Sequence, residues 1–208
     1  LVLSADGSTI FCGNMAFNAA DGSKNLESTD YCDNDFNKPP VLSADGSTIF
    51  CGNKAFNSAD GSTKWTASAI SCTTVGLVNS TIDGVDCTSP LLSKDGMTVY
   101  VGWTKSEDIP IPPKDPNSDD PSDPNAWGSN KYVLNYYVYA LNVSDGSTIW
   151  NYNDTIYVKN AVVDIGARPL FLSNDGTTLY TLGNSSTPMY ALNSVNGDVI
   201  WQRRMEAA

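Results

Sequence analysis

One pattern constrains this chain more than anything else in it. Ala140-Leu141-Asn142 … Asp145-Gly146 … Trp150 ends in tryptophan ten positions after its alanine, and the same spacing returns at Ala55 … Gly61 … Trp65 and Ala191 … Gly197 … Trp201. A fourth copy runs Ala16 … Gly22 … Leu26, with leucine in place of the tryptophan. Each copy reads as a short strand, a tight turn and a second strand. Recurrence at fixed spacing marks repeated units that stack on one another.

A second element precedes each copy. Val2-Leu3-Ser4-Ala5-Asp6-Gly7-Ser8-Thr9-Ile10-Phe11 is echoed at residues 41–50, 91–100 and 171–180, with Ser43, Ser93 and Ser173 matching Ser4. Asp-Gly between apolar, β-branched and aromatic runs predicts a hairpin with a primed turn, because glycine accepts the positive φ such turns demand. Pro40, Pro90 and Pro169 open the later units, where a strand's first residue tolerates a missing N–H. Each unit therefore holds two hairpins. Gly, Pro and Asn interrupt every long 3.6-residue period, so no helix is predicted.

Four-stranded units repeated with glycine and aromatic punctuation predict an all-β fold, a β-propeller of four-stranded antiparallel blades. The blades are expected at about 1–38, 39–88, 89–167 and 168–208, in a single domain over 1–208. Four repeats suggest part of a seven- or eight-bladed ring. The chain starts in a first strand and stops just beyond a last one, as an excised part would. A blade cannot bury both faces alone. Trp65, Trp150 and Trp201 are therefore expected to pack on the following blade, each indole N–H reaching a backbone acceptor, with the motif alanine leaving room for the ring. This reading outweighs ligand stacking. Leu26 keeps the apolar burial and loses the hydrogen bond.

Acids outnumber bases 23 to 12, a net charge of −11. That balance opposes binding to nucleic acid or to an anionic membrane surface. No apolar run approaches the roughly 20 residues of a membrane-spanning helix. No signal peptide is visible. Histidine is absent, which removes the commonest general base and transition-metal ligand.

Five cysteines stand at 12, 32, 51, 72 and 87 with no CxxC pair, so the zinc spacing is missing. Cys12 and Cys51 occupy equal places in two repeats, and Cys32 and Cys72 follow at similar distances. Homologous disulfides 12–32 and 51–72 are expected, leaving Cys87 odd. A 72–87 bridge is the rival, and free thiols are the alternative. Asn79, Asn142, Asn153 and Asn184 lie in glycosylation sequons, although Asn142 sits inside the repeat and could be needed for its turn. Cysteines and sequons together point to a secreted or cell-surface protein.

Blade 3 carries an insert over 105–131, dense in proline and acidic residues, expected as an excursion from the edge of the blade. Within it Asp115, Asn117, Asp119 and Asp123 alternate as calcium ligands do, but Asp120 replaces the usual loop glycine and Ala126 the bidentate glutamate. A solvated acidic loop is the competing reading.

The motif Ala-x-Asn-x-x-x-Gly-x-x-x-Trp resembles that of the PQQ-like β-propeller repeat family. That family includes quinoprotein alcohol dehydrogenases and non-catalytic outer-membrane assembly lipoproteins of the BamB type. Its motif carries aspartate at the third place, where this chain has Asn57, Asn142 or Asn193. The resemblance covers nearly all of the chain outside the insert and implies the fold; it does not imply an activity. The catalytic members have a vicinal cysteine pair, a cation held by Glu and Asn, and a catalytic Asp. No two cysteines adjoin here, and the glutamates are Glu27, Glu107 and Glu206, in connecting segments and the tail. No catalytic residue carries over. The expectation is a non-catalytic interaction or structural module with protein partners and no cofactor. The alternative is part of a PQQ-dependent dehydrogenase whose catalytic residues lie outside this segment.

Overall fold

The computed structural model describes residues 1–4, 6–12, 15–27, 39–70, 72, 84–109, 131–159, 167, 169–182 and 188–204. All regular elements among them are strands. Blade 1 comprises β1 (Val2–Leu3), β2 (Thr9–Cys12), β3 (Met15–Asn18) and β4 (Lys24–Glu27). Blade 2 comprises β5 (Val41–Leu42), β6 (Thr48–Cys51), β7 (Lys54–Asn57) and β8 (Thr63–Thr66). A further strand, β9 (Gly84–Cys87), precedes blade 3, which holds β10 (Leu91–Leu92), β11 (Thr98–Ile109), β12 (Lys131–Asn142) and β13 (Thr148–Lys159). Blade 4 holds β14 (Leu170–Leu172), β15 (Thr178–Thr181), β16 (Met189–Asn193) and β17 (Val199–Arg203). Each blade is an antiparallel meander in chain order, and β9 joins blade 3 by pairing with β11. The architecture is all-β, four blades of propeller type.

The first hairpin of each blade is closed by a wider loop than the two-residue turn expected from Asp-Gly. In blade 2, Ser43 N donates to Thr48 O (2.8 Å) and Gly46 N to Ser43 O (2.9 Å), so four residues lie between the last paired positions. Side chains compensate the extra length. Ser43 Oγ donates to Asp45 Oδ1 (2.5 Å) and accepts from Thr48 N (2.9 Å), while Ser47 N donates to the same carboxylate oxygen (3.0 Å). Gly46 takes φ 72°, which closes the loop at no steric cost. Ser4–Asp6, Ser93–Asp95 and Ser173–Asp175 repeat the device. These donors, the serine hydroxyl foremost, hold the Asp6, Asp45 and Asp175 carboxyls at about 2.

The second hairpin carries the repeat motif. Its asparagine caps the turn: Oδ1 of Asn18, Asn57, Asn142 and Asn193 accepts the backbone N–H two residues on, at 2.8, 3.1, 2.9 and 2.8 Å. The register then slips by one residue between the motif alanine and its neighbour in all four blades. This bulge sets Ala55 opposite Trp65, Ala140 opposite Trp150 and Ala191 opposite Trp201. A bulge at that point turns the ring out of the sheet plane toward the next blade.

Apolar layers fill the spaces between blades. Phe11 and Ala16 meet Ile49 and Phe56 between blades 1 and 2. Phe50, Trp65, Val99, Val101 and Leu141 meet between blades 2 and 3, and Tyr100, Trp150, Leu179, Tyr190 and Leu192 between blades 3 and 4. Burying one such side chain is worth about 1.5–3 kcal/mol, so these layers hold the blades together.

Two expectations are corrected here. The structure pairs Cys72 with Cys87, with Cα atoms 5.5 Å apart, in place of a 51–72 bridge. The reason lies in β9: its pairing with β11 sets Cys87 opposite Trp103, in the same layer as Cys72. Cys12 is a free thiol, so the 12–32 bridge is not formed. Cys51 is also disulfide-bonded; Cys32 lies outside the described residues. Secondly, the insert does not begin at Lys105 as an irregular excursion. The β11–β12 ladder runs unbroken to Ile109↔Lys131.

Candidate functional site

Two of the motif tryptophans are docked on the following blade among the described residues. Trp65 Nε1 donates to Val143 O (2.9 Å), and its ring lies flat over Gly146, where a Cβ would stand 2.5 Å from Cε3. Trp150 repeats this on blade 4, donating to Ser194 O (3.1 Å) and covering Gly197, with a Cβ-to-Cε3 distance of 2.6 Å. Each indole thus needs a bare glycine and a free carbonyl on the following blade. Trp201 has no such partner among the described residues and is 37 % exposed.

The sequence reading missed what braces these rings. Phe50, Tyr100 and Tyr180 stand third in the second strand of their blades and tilt against Trp65, Trp150 and Trp201 at centroid distances of 6.0, 5.9 and 6.1 Å. The Tyr100 hydroxyl also donates to Ser194 O (3.1 Å). The signal was present in the chain as an aromatic residue at the same place in every repeat, Phe11 included.

What sets blade 3 apart is length. β11, β12 and β13 are each 12 residues long, against two to five in the other blades. The three strands stay paired out to Lys131↔Lys159. β9 thickens the base of this arm, pairing over Trp103↔Cys87 to Ser106↔Gly84, and the Cys72–Cys87 bridge ties it to blade 2. The Asp86 carboxylate accepts Ala167 N (2.7 Å), fastening the later connection to the same place.

Aromatic side chains furnish the arm on both faces. Trp103 stacks on its cross-strand partner Tyr137 (4.3 Å, 12°), and its buried Nε1 has no hydrogen-bond acceptor among the described residues. On the blade 4 side Tyr136 stacks parallel to Tyr190 (6.1 Å), and Tyr152 tilts against Tyr190 (5.3 Å). Tyr190 OH donates to Asp154 Oδ2 in a short hydrogen bond, and Gln202 Nε2 reaches the same hydroxyl at 3.5 Å. The Tyr136 hydroxyl is buried near Thr181, with no partner at hydrogen-bond geometry among the described residues. Burial raises all three phenols, Tyr152 to about 12 with the Asp154 charge adding to the effect. Gly102 makes room beside them, since a Cβ there would meet Thr88 Cγ2 at 2.9 Å and the Tyr136 hydroxyl at 3.4 Å. Tyr136 and Tyr190 are buried in the layer between blades 3 and 4, so this cluster fastens the base of the arm to blade 4.

Other sites foreseen from sequence fall as follows. Asp115, Asn117, Asp119, Asp123, Asn79 and Asn184 lie outside the described residues. Asn153 is exposed on β13, and Asn142 Oδ1 is engaged by both Ser144 N and Ser144 Oγ. Among the described residues, no three His, Cys, Asp or Glu side chains converge to hold a metal ion. The described residues do not assemble the cation and cysteine set of a quinone site.

The fold defines a protein of β-propeller class. No family model matches the chain, and no curated protein matches it in sequence. Among solved structures it is similar to a periplasmic gluconolactonase of Pseudomonas aeruginosa (16 % identity, TM-score 0.46, 98 % of this chain and 53 % of that one). It is also similar to dipeptidyl peptidase 4 of Porphyromonas gingivalis (13 %, TM-score 0.46, 99 % and 32 %) and to hydrazine synthase of Kuenenia stuttgartiensis (16 %, TM-score 0.41, 98 % and 48 %). The chain spans about half or less of the length of these proteins. The activities named are theirs.

Proposed function

We propose that this chain is part of a PQQ-like-repeat propeller that serves as an extracellular or surface-exposed protein-interaction module. The supporting observation is the long arm of blade 3. Three strands about three times the length of their counterparts, braced by β9 and a disulfide, form a rigid platform projecting from an otherwise uniform array. Among the described residues its outermost strand β13 pairs only with β12, so its other edge offers backbone N–H and C=O groups to an extended segment of a partner. Tyr137 and Tyr152, half-buried on the arm, supply aromatic anchors of the kind that dominate interface energetics. The bridge between Cys72 and Cys87 supports an oxidising compartment.

The test replaces residues 106–134 and 151–159 with short turns, cutting the arm back to the blade, and compares partners by quantitative cross-linking in the native milieu. Loss of partners with thermal unfolding of the remaining blades retained is expected. An unchanged partner profile would remove the arm from the proposed role.

A further inference from the structure

Blade 2 carries an ammonium that blade 3 lacks. Lys64, the residue before the docked Trp65, donates through Nζ to Thr48 Oγ1 (2.5 Å) and to Ser47 O (3.3 Å). The Ser47 hydroxyl adds a further hydrogen bond to Thr48 Oγ1 (3.3 Å). Thr48 is 5 % exposed beneath this cover. In blade 3 the places of Lys64, Ser47 and Thr48 are held by Ile149, Met97 and Thr98. Ile149 and Met97 supply neither the ammonium nor the hydroxyl that Thr48 has. Thr98 is half-buried, and its Oγ1 has no partner among the described residues.

Thr98 lines a cleft of about 380 Å³ between blades 3 and 4, which also takes in the buried Trp150 ring. Ile149 and Val195, 50 % and 77 % exposed, give this cleft an apolar side. Asp95 and Asp175 give it charge. Asp95 Oδ1 accepts Ser93 Oγ and Met97 N, and Asp175 Oδ1 accepts Ser173 Oγ and both Thr177 N and Oγ1. Each loop is thus satisfied by one carboxylate oxygen, and Oδ2 of both residues has no partner among the described residues. Lys94 lays its stem over Gly176, with Cδ 3.0 Å from a would-be Cβ there. Two carboxylates against this one ammonium leave the lining with one negative charge in excess.

We infer that this cleft binds a primary ammonium on an unbranched alkyl stem, either the lysine side chain of a partner or a free diamine. The ammonium takes the position that Lys64 Nζ holds in blade 2 and donates to Thr98 Oγ1 and Met97 O. Met97 O already accepts Val143 N (3.1 Å), but Ser47 O likewise accepts Ser58 N (3.1 Å) while bonding Lys64, so a lone pair is left in each case. An ammonium has three donors and no acceptor, and the third donor faces the carboxylate excess. The stem lies along Ile149 and Val195. None of these residues belongs to the arm of blade 3, so the inference does not rest on the role proposed for it.

Titration of the nitrogen-labelled chain with the capped tripeptide acetyl-Gly-Lys-Gly-amide, and separately with cadaverine, tests this by NMR at the indole N–H resonances. Expected is a saturable shift of Trp150, which lines the cleft, with Trp65 unmoved. Saturation by the tripeptide assigns the cleft to a lysine side chain, and saturation by cadaverine alone assigns it to a free diamine. Thr98→Val removes one hydrogen bond to a charged group and should weaken binding about tenfold or more. Ile149→Lys supplies the ammonium from the chain itself and should abolish saturation. Ile149→Met has similar bulk without the charge and should keep it. A Trp65 resonance at its original place shows that each variant is folded. Shifts that grow without saturating for both probes would overturn the inference. So would binding indifferent to Thr98→Val or to Ile149→Lys, or binding lost equally in Ile149→Met.

Discussion

Gly146→Ala, set beside Gly96→Ala, isolates the packing of one indole. Both glycines belong to blade 3, and both hold a left-handed φ, +72° and +69°. Each N–H closes a turn, Gly146 to Asn142 O (2.8 Å) and Gly96 to Ser93 O (3.0 Å). An added methyl at either place costs about 1–2 kcal/mol of backbone strain. At residue 96 nothing lies within 4 Å of that methyl, so the cost ends there. At residue 146 it would stand 2.5 Å from Trp65 Cε3 and 2.7 Å from Cδ2. The ring has no easy retreat, being 8 % exposed and lodged opposite fully buried Ala55. Overpacking costs about 1–3 kcal/mol. Swinging the indole away instead breaks its bond to Val143 O, and an orphaned buried donor costs about 1–3 kcal/mol. Gly146→Ala should therefore destabilise by about 2–3 kcal/mol more than Gly96→Ala. For a chain of this size that is a Tm lower by roughly 4–12 °C. Thermal unfolding followed by circular dichroism reads the difference directly. Variants that unfold within about 0.5 kcal/mol of each other would refute the claim that Trp65 is held against that glycine.

Three further outcomes are expected. Ser194 O accepts from both Trp150 and Tyr100, so Trp150→Phe and Tyr100→Phe each leave it one donor. The double variant orphans it and should exceed the sum of the singles by about 1–2 kcal/mol in a denaturant double-mutant cycle; strict additivity would contradict this. The Asp6, Asp45 and Asp175 carboxyls are depressed to about 2 from 3.8 by their serine partners. A depressed carboxyl stabilises the folded state above its unfolded pKa, and that stability is lost as pH falls from 3.8 to about 2. Replacing Ser4, Ser43 and Ser173 with alanine should flatten the Tm–pH curve in that window, and an unchanged curve would rule the turns out as its source. Cys87→Ser opens a loop with a sequence separation of 15; a loss of about 3 kcal/mol is expected, with faster amide exchange in β9 by mass spectrometry. Unaltered exchange there would show that strand pairing alone holds β9.

The blade is legible in the chain because its determinants are local. Ser43, Asp45, Gly46 and Thr48 form their loop with one another, and Asn57 caps a turn two residues away. The wider loop escaped the Asp-Gly reading because it depends on side-chain bonds from serine and aspartate, not on the dipeptide. The tyrosine cluster was not legible. Asp154 and Tyr190 are 36 positions apart and meet only because blades 3 and 4 are packed together. Nor was the arm, since residues 105–109 resemble the polar insert in composition and become strand only by continuing a ladder already started at Thr98.

By itself, then, the amino-acid order determined the four blades, the place of each motif tryptophan, and the bare glycine and small alanine such a ring requires. Interactions a few residues long carry the hairpins, whereas the glycine's place beneath an indole of another blade came with the packing. The tertiary structure alone decided that Cys72 joins Cys87, that blade 3 outgrows its neighbours, and that Trp65 and Trp150 lie over Gly146 and Gly197. Those outcomes depend on which surfaces meet across the array.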